Sequence, residues 1–302
     1  MLFKKKAKRV FIFNTHPKSK RLVRFREELE KRGIEVRIIN SYSLIITDRG
    51  IFYQDEEIVF EKGDVVWFVA NPMINHYLAE YIEEKYAGVV ERVWPDANAV
   101  KLSDKFLANS FFASIGVATP KTVLLNTAKV EKMGRLAEAV GGWPVVMKKC
   151  KGSMGATVKI VNSEIEVKEF LQRSFAKGGK VPFRKNSYLL QEFINESAGT
   201  DFRVLGLNGK VLGGIKRIAQ DGGFKANISL GGKAEIIEVE PELAELAKKI
   251  MREGRIFYAG IDFLKTKNGY LALEINTSSQ FKGFEEATGM NIAGMIIDEL
   301  IK

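Results

Sequence analysis

The stretch GIDFLKTKNGYLALEIN, residues 260–276, carries the strongest fold signal in the chain. Two apolar runs are separated by Asn268-Gly269, a pair typical of a tight turn, so the stretch predicts a β-hairpin. Successive side chains of a strand point to opposite faces, which places Glu274 and Asn276 together on one face of the second strand. Asp262 lies on the polar face of the first strand. The hairpin therefore predicts two acidic side chains and one amide on a single sheet face.

The register of this hairpin decides whether the two carboxylates meet. A two-residue turn at Asn268-Gly269 would place Asp262 opposite Ile275, on the wrong face. A three-residue loop over 267–269, or a bulge in one strand, moves Asp262 opposite Glu274. We therefore predict the odd-length loop or the bulge. Either one places four apolar side chains on the core face, namely Ile261, Phe263, Leu273 and Ile275.

Two carboxylates and an amide oxygen on one face form a set of hard oxygen donors that suits Mg²⁺. Acidic side chains this close repel each other unless a cation lies between them. The same spacing also occurs on a solvated sheet face with incidental charges, and the hairpin alone does not separate the two interpretations. In the first interpretation the metal ligands are Asp262, Glu274 and Asn276.

A second candidate site lies at residues 145–157, where an apolar strand ends near Lys148 and a glycine-containing loop follows. The backbone N–H groups of such a loop, together with the lysine, are suited to covering phosphates. The loop lacks the Gly-Lys-Ser/Thr of a Walker sequence, and no helix is predicted directly after it. An ordinary hairpin is the alternative interpretation. The loop residues that would lie at the phosphates are Gly152, Ser153 and Gly155.

Two further stretches carry polar residues near the ends of strands. Residues 190–194 and the acidic residue at 201 are suited to an adenine edge and a ribose, although a strand with a polar end is the commoner structure. Residues 216–232 begin with two basic residues and are rich in glycine. Cations that face a metal site stabilise charge on a transferring phosphoryl group, whereas the alternative is a solvated basic strand end beside a loop. The residues concerned are Asp201, Lys216, Arg217, Lys225 and Asn227.

Strands and helices alternate over the first third of the chain, where residues 65–69 are apolar on both faces, as in a parallel sheet. This pattern predicts a small doubly wound α/β unit. From residue 187 onward the strands follow one another closely, and Asn208-Gly209 predicts a hairpin between two of them. Ser103 is the predicted N-cap of a helix over 103–115. The predicted fold class is α/β in the first part of the chain and α+β in the remainder.

Composition limits the class of protein. The 302 residues are 46% apolar and 28% charged, which predicts a globular protein and excludes disordered and fibrous classes. The single cysteine, Cys150, excludes an intrachain disulfide, and the two histidines have no cysteine or histidine at ligand spacing, which excludes a zinc site of the Cys/His type. No apolar run approaches the roughly 20 residues of a membrane span. We expect a cytoplasmic protein that does not contact a membrane.

The net charge of +10 is concentrated at the amino end. Residues 1–40 contain 13 Lys and Arg against four Glu, a balance of +9. Two interpretations are open: a patch that attracts a polyanion or an acidic protein, or a Lys-rich start followed by the solvated face of a helix over 19–32. Nucleic acid is disfavoured as a partner, although this basic region does not exclude it.

Taken in order, these residues resemble the RimK group of ATP-grasp ligases. The resemblance extends over about residues 98–302 and is densest from 191 onward. It implies a pre-ATP-grasp α/β domain over 1–97, then a two-lobed ATP-grasp domain over 98–302. The latter would divide into central and small lobes over 98–185 and a C-terminal lobe with the metal site over 186–302. The motifs that carry the resemblance are Lys105, Lys148 with its glycine loop, Gln191-Glu192-Phe193-Ile194, Asp201-Phe202-Arg203, Lys216-Arg217, Asn227, Gly260-Ile261-Asp262, Glu274-Ile275-Asn276 and residues 283–289.

The resemblance also implies a reaction and a role for each residue. In the family the γ-phosphate of ATP passes to a carboxylate, and an amine then displaces phosphate to form an amide. The implied cofactors are ATP and two Mg²⁺ ions, with Mn²⁺ as a substitute. The implied substrates are an amino acid or similar amine and a carboxylate donor. Catalysis would fall to Arg217 and Asn227, metal binding to Asp262, Glu274 and Asn276, and ATP binding to Lys105, Lys148, Gly152, Ser153, Gly155, Gln191, Glu192, Phe193, Ile194, Asp201 and Lys225.

Two other functions remain open from the sequence. One is phosphotransfer to a hydroxyl on the same fold, which a phosphorylated product without an amide would indicate. The other is nucleotide or polyanion binding without catalysis, which unchanged activity after replacement of Glu274 by alanine would indicate. In each case a homo-oligomer is expected.

Overall fold

The computed structural model describes residues 9–69, 72–125, 132–152, 158–176, 187–220 and 233–302. Three main sheets follow one another along these ranges, and a small sheet is inserted in the first region. No helix in the described ranges is long and apolar enough to cross a bilayer.

The first region contains a parallel four-stranded sheet with helices on both of its faces. Its elements are β1 (Arg9–Asn14), α1 (Lys20–Lys31), β2 (Glu35–Asn40), β3 (Leu44–Ile46), β4 (Ile51–Tyr53), β5 (Glu56–Glu57), β6 (Asp64–Phe68), α2 (Pro72–Lys85), β7 (Val90–Trp94) and α3 (Ala97–Lys101). The strand order is β2-β1-β6-β7, and all three pairings are parallel. On the central strand β1, Val10 and Ile12 pack with residues of α1, whereas Phe11 and Phe13 pack with residues of α2. Both faces of this sheet are therefore buried, as apolar strands of a parallel sheet require.

The strands β3, β4 and β5 form a small antiparallel sheet over residues 44–57 that the sequence pattern did not predict. Each of them has only two or three residues. Strands this short carry too little alternation of apolar and polar residues to be recognised from sequence.

The second region contains an antiparallel sheet with the order β10-β9-β11-β8. Its helix α4 begins one residue after Asp104, whose carboxylate Oδ1 accepts hydrogen bonds from the backbone N–H groups of Phe106 and Leu107 at 3.0 and 3.2 Å. Asp104 is therefore the N-cap, and the prediction of Ser103 was wrong because both residue types favour this position. The elements are α4 (Lys105–Ser114), β8 (Thr122–Leu125), α5 (Met133–Ala139), β9 (Val145–Lys149), β10 (Lys159–Val161), α6 (Glu164–Ala176) and β11 (Tyr188–Glu192).

The third region contains an antiparallel five-stranded sheet with the order β14-β13-β12-β15-β16. The predicted hairpin between β12 and β13 is confirmed: Asn208 and Gly209 have φ angles of 47° and 76°, the left-handed conformations that a tight hairpin turn requires. The elements are β12 (Thr200–Leu207), β13 (Lys210–Ile218), β14 (Lys233–Ile237), α7 (Pro241–Glu253), β15 (Tyr258–Thr266), β16 (Gly269–Asn276), α8 (Lys282–Thr288) and α9 (Ile292–Leu300).

The basic helix α1 packs against the third region, which changes the interpretation of its charge. Arg24 Nη2 lies 3.6 Å from Glu285 Oε1 on α8, and Arg32 Nε lies 2.7 Å from Asp298 Oδ1 on α9. Arg21 donates to a backbone carbonyl of the same region. These three side chains make contacts within the chain, although that of Arg24 stays 44% exposed. Binding of a polyanion by this region stays one of the two open interpretations. The basic side chains of this segment that stay exposed include Lys18, Lys20 and Arg26.

Candidate functional site

One face of the five-stranded sheet collects the acidic and basic residues that the sequence singled out. Across neighbouring strands, Asp201 is paired with Arg217, Arg203 with Asp262, and Asp262 with Glu274. Directly opposed residues of antiparallel strands point to the same face, so these side chains form a continuous polar row. The opposite face is apolar and belongs to a core shared with α4 and α7, to which Val204, Ile261, Phe263 and Ile275 contribute.

The β15–β16 hairpin reaches the predicted register by one of the two predicted routes. Thr266 is paired with Gly269, so the chain turns through two residues and the three-residue loop was wrong. The register then shifts directly after Asp262, and this bulge brings Asp262 opposite Glu274.

The bulge also changes which side chain fills the core. Leu273 is the extra residue and is only half-buried, whereas Ala272 is fully buried opposite Phe263. Ala272 therefore occupies the core position that the sequence pattern gave to Leu273, because the pattern alone does not locate a bulge.

Asp262 accepts hydrogen bonds from two arginines on this face of the sheet. Arg203 donates to it through Nε and Nη2, at 2.6 Å to Oδ1 and 2.7 Å to Oδ2. Arg217 Nη2 donates to the same Oδ2 at 2.7 Å, and Arg217 Nε donates to Asp201 Oδ1 at 2.5 Å. Asp262 is 1% exposed. Two guanidinium groups and two carboxylates thus compensate one another away from water, which buried charges require.

The charges of this network shift the ionisation of its members. Burial disfavours the charged form of Arg217, but the charges of Asp262 and then Asp201 keep its pKa above the ordinary value. Burial, and then the negative charge of Asp262, raise the pKa of Asp201 against the attraction of Arg217. Asp201 is thus committed to a guanidinium in this structure, and its role at a ribose stays a prediction.

Glu274 lies at the open end of the row, with its side chain 22% exposed. Lys105 Nζ is 3.5 Å from Glu274 Oε2, and Asn276 Nδ2 donates to Glu274 Oε1 at 3.3 Å. Burial would raise the pKa of Glu274, but the charges of the nearby cations, with Lys105 first, lower it well below the ordinary value. Lys105 Nζ also donates to the carbonyl of Gly152 at 2.7 Å, so one ammonium group contacts both the start of the predicted phosphate loop and Glu274, a predicted metal ligand.

Lys148 lies on β9, opposite Leu189 of β11, and is 4% exposed. Burial lowers its pKa to about 8, although the negative charge of Glu274 opposes this effect. Its ammonium group therefore stays protonated at neutral pH and adds to the positive potential around Glu274.

If Lys148 contacts a phosphate as predicted, nucleotide affinity is expected to fall as the pH rises through about 8, where its ammonium group loses the proton. The stability of the free protein follows the opposite trend. The pKa is lowered from 10.5 to about 8, so the penalty for a buried ammonium group is fully present below pH 8 and disappears between pH 8 and 10.5. Calorimetric titration of ADP across this range checks the first trend. The variant Lys148→Met must bind weakly with little pH dependence, and a pH profile like that of the wild type would contradict the prediction.

The predicted adenine residues lie at the end of β11 and directly after it. The side chain of Gln191 is buried, and its Nε2 donates to Asn109 Oδ1 at 3.0 Å and to Thr122 Oγ1 at 2.8 Å. This side chain therefore joins β11 to α4 and β8. Glu192, Phe193 and Ile194 are half-buried. A cavity of about 240 Å³ lies beside Glu192 and Phe193, and its other walls include Gly141, Trp143 and Pro144.

Four of the predicted residues fall outside the described ranges. They are Ser153 and Gly155 of the phosphate loop, and Lys225 and Asn227 of the glycine-rich stretch.

Two residues of this region were given no role from the sequence. Arg203 belongs to the motif Asp201-Phe202-Arg203 that carries the family resemblance, and its alternation with Asp201, which places both on the same face of β12, was the signal for a role at the site. Asn109 is the hub of a buried polar network, since its Oδ1 also accepts from Thr119 and Thr122. A polar residue one turn after Lys105 on an otherwise apolar helix face was its only sequence signal.

The residues of the row fit a Mg²⁺ ion. Asp262, Glu274 and Asn276 offer hard oxygen donors, and Asp262 Oδ1 keeps a lone pair besides the one that accepts from Arg203. Within the ranges that the structure describes, no three Asp, Glu, His or Cys side chains gather in a cluster that could hold a metal. A Mg²⁺ ion here would therefore need phosphate oxygens or water to complete its coordination, as is typical of nucleotide sites.

Comparison with known sequences places this site in context. The RimK-like ATP-grasp domain family matches residues 102–300. A probable alpha-L-glutamate ligase of Marinobacter nauticus is 30% identical over 276 residues, covering 90% of this chain and 88% of the relative. A probable alpha-L-glutamate ligase of Methanococcoides burtonii is 29% identical over 288 residues, covering 94% and 91%.

Comparison with solved structures concerns the fold. A RimK domain ATP-grasp protein from Sphaerobacter thermophilus superposes with a TM-score of 0.72 at 18% identity, covering 97% of this chain and 100% of that one. The ATP-grasp ligase PsnB, solved with a phosphomimetic variant of its minimal precursor, Mg and ADP, superposes with a TM-score of 0.67 at 17% identity, covering 98% of each chain. The mixed fold of sheets and helices is therefore that of ATP-grasp ligases, as predicted.

Proposed function

Because this chain belongs to the family of RimK-like ATP-grasp ligases, we propose that it joins a carboxylate to an amine and converts ATP to ADP and phosphate. The family itself is the one that the sequence motifs predicted. We propose in addition that the substrates are a carboxylate and an amine, that an acyl phosphate is the intermediate, and that single residues have the roles given below.

The observation that supports it is the meeting of ionised carboxylates and cations on one sheet face. Lys105 lies beside Glu274, whereas Arg203 and Arg217 lie beside Asp262. A triphosphate needs cations for its oxygens, and the metal that accompanies it needs carboxylate ligands. Both requirements are met within one row of side chains. No covalent nucleophile is needed, since positioning and charge stabilisation carry phosphoryl transfer.

The reaction proceeds in two substitutions. An oxygen of the carboxylate substrate attacks the γ-phosphorus, the bond to the β–γ bridging oxygen breaks, and ADP leaves. The amine nitrogen then attacks the carbonyl carbon of the acyl phosphate, the carbon–oxygen bond to phosphate breaks, and the amine loses a proton to solvent. Lys105 and Lys148 hold phosphate oxygens, and Arg217 stabilises the charge on the transferring group.

Mg²⁺, when bound by Asp262, Glu274 and Asn276, neutralises the phosphate charge. The remaining roles are proposed from the family resemblance. Phosphate contacts are assigned to Gly152, Ser153, Gly155 and Lys225, adenine contacts to Gln191, Glu192, Phe193 and Ile194, a ribose contact to Asp201, and the acyl phosphate to Asn227.

The relatives suggest where to look for substrates. The proteins from Marinobacter nauticus and Methanococcoides burtonii are named probable alpha-L-glutamate ligases, so an amino acid is the proposed amine and glutamate the first to test. PsnB was solved with a precursor, so peptides with free carboxyl groups are the second class of carboxylate donor to test.

A screen for ADP release tests the proposal. Purified protein, ATP and Mg²⁺ are incubated with pairs of amino acids and carboxylate donors, and the products are analysed by mass spectrometry. We expect ADP to appear with one class of pair, with a product equal in mass to both substrates less one water. Omission of Mg²⁺ is the control and must stop ADP release. A phosphorylated product without an amide, or no binding of ATP in the presence of Mg²⁺, would refute the proposal.

A further inference from the structure

Two arginines of α1 and its C-cap residue Arg32 join the first region to the third, but one of them differs in lacking a side-chain partner there among the described residues. Arg24 and Arg32 bind side chains on or beside α8 and α9, including carboxylates, and Arg32 also donates to Gly294 O at 3.3 Å. Arg21 binds main-chain carbonyls instead: Nη1 donates to Ser278 O at 2.9 Å and Nη2 donates to Val69 O at 2.9 Å. The guanidinium of Arg21 therefore contacts two segments that are distant in sequence, one at Val69 and one at Ser278.

The burial of Arg21 is unfavourable in itself. Removal from water lowers its pKa, and Tyr258 opposes this effect. Within the described ranges, burial and the neighbouring Tyr258 are what act on the charge of Arg21, its hydrogen bonds are to carbonyls, and its Nε is buried without a hydrogen-bond partner. A cation without a counterion is costly in a protein interior. The stabilising contribution of Arg21 is therefore limited to the two carbonyls that it fixes.

Those carbonyls belong to the segment that leaves the metal site. Ser278 is two residues beyond Asn276, the last residue of β16, and its Oγ also donates to Val69 O. On the other side, the hydroxyl of Tyr258 donates to Ser279 O at 3.2 Å. The segment after β16 is thus fixed from the first region and from β15 at once, immediately after two of the proposed metal ligands.

We propose that Arg21 is a positioning residue for the metal site. Arg21 donates to Ser278 O and to Val69 O. In this way it fixes the segment at the end of β16, and with it the positions of Asn276 and Glu274 relative to Asp262. The inference rests on the proposed function, because it requires that these residues bind a metal with the nucleotide. Outer contacts of this kind orient the ligands of metal sites.

The test compares Arg21→Gln with Arg32→Gln. Both variants remove a contact between α1 and the third region, but only the first removes one to the segment after β16. Calorimetry gives the affinity for ADP, once in EDTA and once in Mg²⁺. A titration with Mn²⁺, followed by electron paramagnetic resonance, gives the metal affinity of the ADP complex. Thermal unfolding gives the stability of each variant. We expect Arg21→Gln to weaken metal binding about 10-fold, with ADP affinity in EDTA unchanged. Arg32→Gln must lower Tm without altering the metal titration.

A second variant keeps the inference testable if Arg21→Gln does not fold. Ser278→Ala removes one hydrogen bond to Val69 O and no charge, and it must weaken metal binding in the same direction, whereas Ser278→Thr restores it. The inference is overturned, and the proposed function is not, if Arg21→Gln binds the metal as tightly as the wild type. If Arg21→Gln does not fold, the same result in Ser278→Ala overturns it. Wild-type ADP affinity that does not respond to Mg²⁺ would overturn the proposed function as well.

Discussion

Replacement of Glu274 by glutamine is expected to abolish Mg²⁺-dependent nucleotide turnover in a chain that still folds. Glutamine keeps the size of the side chain but loses the charge that holds a divalent cation. Loss of several kcal/mol of charge stabilisation corresponds to a fall in ADP release of at least about 100-fold. The free protein loses some stability, because the charge of Glu274 favours the buried ammonium groups of Lys105 and Lys148. The loss is limited, because the contact of Glu274 with Lys105 is long, at 3.5 Å, and the Glu274 side chain is 22% exposed.

The measurement is the ADP-release assay with the substrate pair found by screening, together with calorimetric binding of ADP with and without Mg²⁺. Glu240→Gln is the matched control, since Glu240 is exposed, makes a surface ion pair with Lys265 at 2.5 Å and is not among the proposed metal ligands. The control must retain wild-type ADP release. Retention of Mg²⁺-dependent ADP binding by Glu274→Gln would show that the proposed ligand set is incorrect.

The parts of the fold that the sequence predicted are those in which local pattern and tertiary structure agree. In the β15–β16 hairpin apolar and polar side chains alternate, and the apolar ones can all face the core only if the two carboxylates share the other face. The turn at Asn208-Gly209 is set by local backbone preference. Such features depend on neighbouring residues alone, so a single sequence is sufficient to predict them.

The features that the sequence did not predict depend on distant contacts. The bulge at Leu273 leaves no local signal, because either a loop or a bulge corrects the register. Arg21 and Arg24 looked like part of a solvated or polyanion-binding surface, since a count of charges does not show that Ser278 and Glu285 lie opposite them. Sequence separations of more than 250 residues connect these pairs.

The candidate site shows the same division. Asp262, Glu274 and Asn276 were predicted as metal ligands from strand alternation. The structure places Asp262 opposite Glu274, and Asn276 donates to Glu274, whereas metal binding itself stays a prediction. The pairing of Asp262 with Arg203 and Arg217 was not foreseen, because it requires the order of three strands in a sheet. This order makes Asp262 both a proposed metal ligand and the centre of a buried charge network, which gives its replacement a second consequence.

Replacement of Asp262 by asparagine is expected to lower the free energy of unfolding by about 3 kcal/mol, besides abolishing metal-dependent binding. The carboxylate of Asp262 accepts hydrogen bonds from Nε and Nη2 of Arg203 and from Nη2 of Arg217, and Asp262 is 1% exposed. Asparagine offers one neutral oxygen, so two buried guanidinium groups would keep only the charge of Asp201 and the weaker effect of Glu274 on Arg203. Urea unfolding monitored by circular dichroism measures the loss, with Glu274→Gln as the control that changes a proposed metal ligand of the same row.

A double variant separates the two roles of Asp262. Removal of a buried cation together with its counterion is far less costly than removal of one partner, because no uncompensated charge remains. Asp262→Asn combined with Arg203→Met must therefore recover part of the lost stability and none of the metal binding, and the coupling energy of the cycle must be favourable. If Asp262→Asn is no less stable than Glu274→Gln, the arginines do not depend on this carboxylate, and the buried network contributes nothing to the fold.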